Sequence, residues 1–120
     1  FSATPNDLDA DNLKFTSYLD NAVYAYQIDT DGSRTIKYSK DGNPADAGIL
    51  LQNVVKDTTI NAVRYVSKFT YKDKNNNNLS VPVASSTEVH GVELTFYLLR
   101  GESFYSYTTY AAIDEGQLDI

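Results

Sequence analysis

The sequence predicts a mainly β domain built from antiparallel sheets, and three observations carry that expectation. Apolar side chains recur with a period of two in several stretches, most clearly on both arms of residues 89–113. An extended strand sends successive side chains to opposite faces, so each arm can bury one side and wet the other. The aromatic residues are ten tyrosines and five phenylalanines, with no tryptophan or methionine, a set that packs well across neighbouring strands. No stretch holds a 3.6-residue apolar period long enough for an amphipathic helix.

At 120 residues the chain matches one ordinary domain with a single core, and one domain is expected over residues 1–120. Residues 1–12 are polar and acidic, and Pro5 disfavours helix at Thr4, so this stretch reads as a flexible or short helical lead-in. From Leu13 to Leu19 the apolar positions alternate as in a strand, and Asp20-Asn21 turns the chain. Ala22, Tyr24, Tyr26 and Ile28 define a second strand, and Thr35-Ile36-Lys37-Tyr38 a third. The Asp31-Gly32 pair between them is hairpin chemistry, and Asp41-Gly42-Asn43-Pro44 closes the meander.

Residues 48–55 hold the densest apolar group, Ile49-Leu50-Leu51 and Val54-Val55, and read as a segment buried on both sides. Lys56-Asp57-Thr58-Thr59 reads as a break. One long strand is expected over residues 63–71, ending in a polar, mobile and exposed tip at residues 72–78. Leu79-Ser80-Val81-Pro82-Val83 reads as a short strand, placed at an edge because Pro82 cannot donate to a ladder.

The last pair of strands turns at Arg100-Gly101-Glu102-Ser103. Val92, Leu94, Phe96 and Leu98 share one face of the first arm and are assigned to the core. Tyr105, Tyr107, Thr109, Ala111 and Ile113 share a face of the second. Tyr97, Phe104 and Tyr110 fall opposite the assigned core face and are the candidate binding residues, since exposed rings offer flat apolar surface for stacking. Burial of these rings by another protein layer is the favoured reading.

Composition excludes several chemistries. Cysteine is absent, so the chain has no disulfide framework, thiolate metal site or cysteine nucleophile. A formal charge of −6 and a pI near 4.5 argue against unaided binding to a nucleic-acid backbone. No apolar run approaches the roughly 20 residues that cross a bilayer. His90 is the only histidine, and no Gly-x-Ser-x-Gly elbow accompanies it, so it reads as a residue leading into a strand beside Gly91. Asp29 and Asp31 have the spacing that begins a calcium loop, but Lys40 occupies the closing glutamate position counted from Asp29. The same test fails for Asp7, Asp9 and Asp11, where Tyr18 holds that position. An ordinary turn is favoured over a calcium site, no catalytic residue is assigned, and no cofactor is expected.

The pieces in order are Leu13-Lys14-Phe15-Thr16-Ser17-Tyr18-Leu19-Asp20, Thr35-Ile36-Lys37-Tyr38, Gly48-Ile49-Leu50-Leu51-Gln52-Asn53-Val54-Val55 and Val66-Ser67-Lys68-Phe69-Thr70-Tyr71. After them come Val89-His90-Gly91-Val92-Glu93-Leu94-Thr95-Phe96-Tyr97-Leu98 and Tyr107-Thr108-Thr109-Tyr110-Ala111-Ala112-Ile113. This arrangement resembles the globular part of the type IV pilin-like family, nearest to minor pilins and J-type pseudopilins. The resemblance implies antiparallel sheets of a pilin-like head, counted α+β when the family's long N-terminal helix is included. That helix, largely absent from these residues, would anchor a longer chain in the inner membrane before assembly.

The resemblance further implies a non-enzymatic assembly subunit of a type IV pilus or type II secretion-like filament. Its partners would be other pilin or pseudopilin subunits, at the cell surface or in the periplasm. The alternative is a ligand-binding β domain, an adhesin or carbohydrate-binding module, using exposed tyrosines.

Overall fold

The computed structural model describes residues 3, 7–17, 20–29, 32, 34–40 and 48–113. Nine antiparallel strands form three sheets, and the described residues carry no helix beyond one 3-10 turn, Ser86–Glu88. The mainly β expectation is met. The turn at residues 41–44 and the tail at 114–120 lie outside the described residues.

The first sheet has the order β1 (Asn12–Thr16), β2 (Val23–Ile28), β3 (Ile36–Ser39), β4 (Gly48–Leu51). Register places Leu13 opposite Tyr26, Phe15 opposite Tyr24, Tyr26 opposite Tyr38 and Ile28 opposite Ile36. Directly opposed residues share a face, so these side chains form one apolar surface. Phe15 and Tyr24 stack with ring centroids 5.5 Å apart, and Tyr26 lies 5.0 Å from Tyr38. Ile28 and Ile36 are buried completely.

Residues 48–55 are not buried on both sides as expected. Ile49 is 56% and Leu50 52% exposed, because β4 is the end strand of its sheet and the register slips between Ile36 and Lys37. Val54 and Val55 are buried because the chain has by then left the sheet to run beside the third one. There the Val55 N–H donates to the Tyr97 carbonyl (2.9 Å), and the Leu99 N–H to that of Asn53 (3.0 Å).

The second sheet is a hairpin of β5 (Asp57–Ile60) and β6 (Val63–Val66). Lys56-Asp57-Thr58-Thr59 is therefore not a break beyond Lys56. Asn61 and Ala62 both take positive φ, 52° and 66°, the geometry of a two-residue primed turn. The long strand expected over residues 63–71 is two strands in different sheets, β6 and β7 (Lys68–Lys72), parted at Ser67. The buried Ser67 hydroxyl donates to the Val55 carbonyl (2.5 Å) and accepts the Tyr97 N–H (3.1 Å). A side chain thus supplies bonds that a continuous ladder would have made. Residues 79–83 form no strand; Val83 is buried and its N–H donates to the Leu8 carbonyl (2.9 Å).

The third sheet has the order β7, β8 (Gly91–Arg100), β9 (Ser103–Ala112). The last two pair through all ten positions of each, from Gly91 opposite Ala112 to Arg100 opposite Ser103. Gly101 opens the two-residue loop with φ +62°, a conformation that disfavours any side chain. The hairpin matches the sequence expectation closely.

Residues 7–12 join the sheets, and among them the expected flexible or helical lead-in is instead an anchored strap. Leu8 is buried in the core. The Lys14 N–H donates to Asp7, the Phe69 N–H to Ala10 and the Ile28 N–H to Asp11, all at backbone carbonyls within 3.0 Å. From β7, the fully buried Tyr71 holds its hydroxyl 2.9 Å from the Asp9 carbonyl and 2.8 Å from that of Asn12. Burial pushes the Tyr71 phenol well above its ordinary pKa, so it stays protonated and one proton serves both acceptors.

Tyr71→Phe should lower the unfolding free energy by about 1–3 kcal/mol, the cost of stranding a buried acceptor. Urea unfolding followed by far-UV circular dichroism reads this out. The exposed Tyr107→Phe should change it by less than about 0.5 kcal/mol.

Candidate functional site: an open tyrosine-rich strand

The surface that stands out is β9. The sequence Ser103-Phe104-Tyr105-Ser106-Tyr107-Thr108-Thr109-Tyr110-Ala111-Ala112 contains no charged residue, yet every position except Phe104 is exposed. Its register with β8 places Tyr105 and Tyr107 on the face shared by Leu98 and Phe96. That is the face the sequence assigns to the core, but Tyr105 is 44% and Tyr107 46% exposed. In the third sheet the buried side chains are Phe69, Tyr71, Val92 and Leu98 of β7 and β8, whereas none on β9 is buried. Tyr107 is supported from one side, stacked on Phe96 at 5.2 Å with the rings 17° from parallel.

Alongside β9 an apolar groove of about 280 Å³ runs between the two larger sheets. Leu13, Phe15 and Leu50 line it from the first sheet, and Phe69, Leu94 and Thr109 from the third. The exposed Leu50 at the β4 slip sits at its rim.

The three candidate rings on the opposite face divide. Tyr97 and Phe104 stack at 5.5 Å, and Tyr65 of β6 packs edge-on against both, at 5.2 and 5.1 Å. These two are half-buried under a cover supplied by the β5–β6 hairpin. Tyr110 is 52% exposed; its ring lies across Gly91, where a Cβ would collide with it. A glycine is thus needed there for close approach of the ring.

Among the acidic candidates, the Asp9, Asp11 and Asp29 carboxylates are each engaged in bonds within the chain. The Asp29 carboxylate accepts the Arg34 N–H (2.5 Å), while its own N–H donates to the Thr35 carbonyl (2.7 Å), so Asp29 closes a turn. Asp31 lies outside the described residues. The Asp9 carboxylate accepts the Asp11 and Asn12 amides at 2.9 and 2.7 Å, and Asp11 pairs with Lys56. Among the described residues no group of three His, Asp or Glu side chains is placed to hold a metal ion.

His90 is a backbone tie: its N–H donates to Lys72 (2.8 Å) and its carbonyl accepts from Ile113 (2.9 Å). Its side chain borders a polar hollow with Asp73, Lys74 and Glu88. Of the tip expected over residues 72–78, residues 74–78 are exposed while Lys72 ends β7 and Asp73 is half-buried; the Asp73 carboxylate accepts the Asn75 and Asn77 amides at 2.9 Å each.

Sequence reasoning missed Tyr105 and Tyr107 as surface groups and Tyr65 as the cover. The signal available was the tyrosine-rich run of eleven uncharged residues, 103–113, in a chain that is 22% charged.

Tyr65→Ala should lower stability by about 1–3 kcal/mol through loss of two edge-on ring pairs and their buried area. It should also make Tyr97 accessible to acrylamide quenching, measured on a variant retaining Tyr97 as the only tyrosine near Phe104. No family model matches this chain, no curated protein matches it, and no solved structure matches it.

Proposed function

We propose that this domain is a non-enzymatic assembly subunit, the head of a minor pilin or pseudopilin in a type IV pilus or type II secretion-like filament outside the cytoplasm. It works by docking onto other protein subunits. The observation that carries the reading is β9: a long strand with no charge, exposed tyrosines on both faces and an apolar groove alongside. Tyrosine is favoured at protein interfaces because it contributes large contact area at small entropic cost. Proteins ordinarily blunt an exposed edge strand with lysines, prolines or bulges; β9 carries no lysine or proline, and its pairing with β8 is unbroken.

A second reading is favoured by Tyr110 alone among the original candidates. Its exposed ring, on the face where Tyr65 shelters Tyr97 and Phe104, is the group a carbohydrate ligand would stack on. A glycan-array signal abolished by Tyr110→Ala would support that alternative.

The assembly reading is tested by placing a photo-crosslinking amino acid at Ser106 in the producing cell and identifying the adducts by mass spectrometry. Adducts to pilin-like subunits are expected. Irradiation that yields no protein adduct at Ser106, with the same probe active at a buried control position, would overturn it.

A further inference from the structure

We propose that β9 pairs antiparallel with β9 of a second copy of this chain, across a two-fold axis at Thr108, joining two three-stranded sheets into one. The inference rests on the assembly reading and names one partner for it.

The first ground is the parity of the free backbone groups. In an antiparallel pair, hydrogen-bonded and non-bonded positions alternate. A two-residue hairpin loop is flanked by a bonded pair, here Arg100 and Ser103. The odd-numbered residues of β9 therefore direct their N–H and C=O groups towards β8. The Ile113 N–H donating to His90 continues the same parity. Phe104, Ser106, Thr108, Tyr110 and Ala112 consequently present theirs outward, and among the described residues no backbone bond reaches them.

A partner β9 centred on Thr108 sets Phe104 against the second copy's Ala112, Ser106 against its Tyr110, and Thr108 against itself. Each outward N–H and C=O then has a partner. Because this register pairs even positions with even positions, the like faces of the two sheets stay on the same side, as a two-fold axis perpendicular to the sheet requires.

The second ground is charge. Two copies each carrying −6 repel as they approach, and like charges directly opposite one another destabilise a strand pair. β9 has no charged residue, so self-pairing puts no charge against its own copy. By contrast, Lys68 and Lys72 lie on β7 and Lys14 on β1.

The third ground is closure. The outer side of β7 is occupied by the Ala10 carbonyl bonded to Phe69 and by the Leu79 N–H bonded to Tyr71. That of β1 is occupied by Asp7 bonded to Lys14. With the far edge of the three-stranded sheet covered, pairing through β9 ends at two copies instead of growing into a fibre.

The test uses the chain itself, which has no cysteine to confuse a crosslink. Sedimentation equilibrium should give a dimer. Thr108→Lys and Thr108→Glu, each opposing like charges at the axis, should each weaken it roughly tenfold, and mixing the two variants should restore a mixed dimer. Thr108→Cys should form an intermolecular disulfide on mild oxidation, because bonded antiparallel partners sit about 5.5 Å apart at Cα. Thr95→Cys, on the interior strand β8, should not. Circular dichroism verifies that each variant folds.

A monomer at every concentration, or charge variants that dimerise like the parent and do not prefer each other, would overturn self-pairing. A monomer whose Ser106 probe still captures other subunits would retire self-pairing and leave the assembly reading standing. Absence of both would remove the two together.

Discussion

The structure depends on where the backbone of residues 7–12 finds its hydrogen bonds. This strap bonds to both larger sheets and is partly buried, fully so at Leu8, and a buried carbonyl left unpaired is costly. Asp7 and Asp11 bond the first sheet, Ala10 the third, and Leu8 the segment before the last hairpin. The Tyr71 hydroxyl serves Asp9 and Asn12 from the opposite sheet. Leu8 adds an apolar side chain to the same seam. Among the described residues no buried side-chain nitrogen or oxygen lacks a partner.

A smaller polar joint does similar work at the second hairpin. Ser67 bridges Val55 and Tyr97, and the Lys56 ammonium reaches the Ser67 carbonyl at 3.2 Å while pairing with Asp11. Partial burial draws the Lys56 pKa below its ordinary value, against the pull of the nearby Asp9 and Asp57. Through these two partners Lys56 ties the entry of the β5–β6 hairpin to the strap. That placement carries Tyr65 over Tyr97 and Phe104. The shelter over Tyr97 and Phe104 is thus a consequence of joints well removed from Phe104 in sequence.

The open surface follows from the same geometry. The buried apolar side chains of the third sheet lie on β7 and β8, namely Phe69, Tyr71, Val92 and Leu98, and none lies on β9. Tyr105, Ser106, Tyr107 and Thr108 are exposed, so both faces of β9 are open at its centre, and among the described residues no backbone bond reaches its outward groups. A surface tolerant of exposure when alone and rich in tyrosine suits a protein partner, since rings and free backbone groups both gain when water is excluded.

The sequence by itself determined which side chains share a strand face, where the final hairpin turns, and that strands would dominate. Those properties follow from a period of two and from glycine and aspartate at turns, both local in the chain. It also made legible that β9 lacks charge and that Tyr97, Phe104 and Tyr110 share a face. Tertiary structure alone decided that residues 63–71 split at Ser67, that Lys56-Asp57-Thr58-Thr59 runs into a strand, that Ile49 and Leu50 are exposed, and that Tyr105 and Tyr107 are uncovered while Tyr97 is sheltered. The physical reason is that alternation fixes which way a side chain points within its own strand. What lies opposite it is set by long-range register and by the strap that positions one sheet over another, and neither is written in the spacing of neighbouring residues.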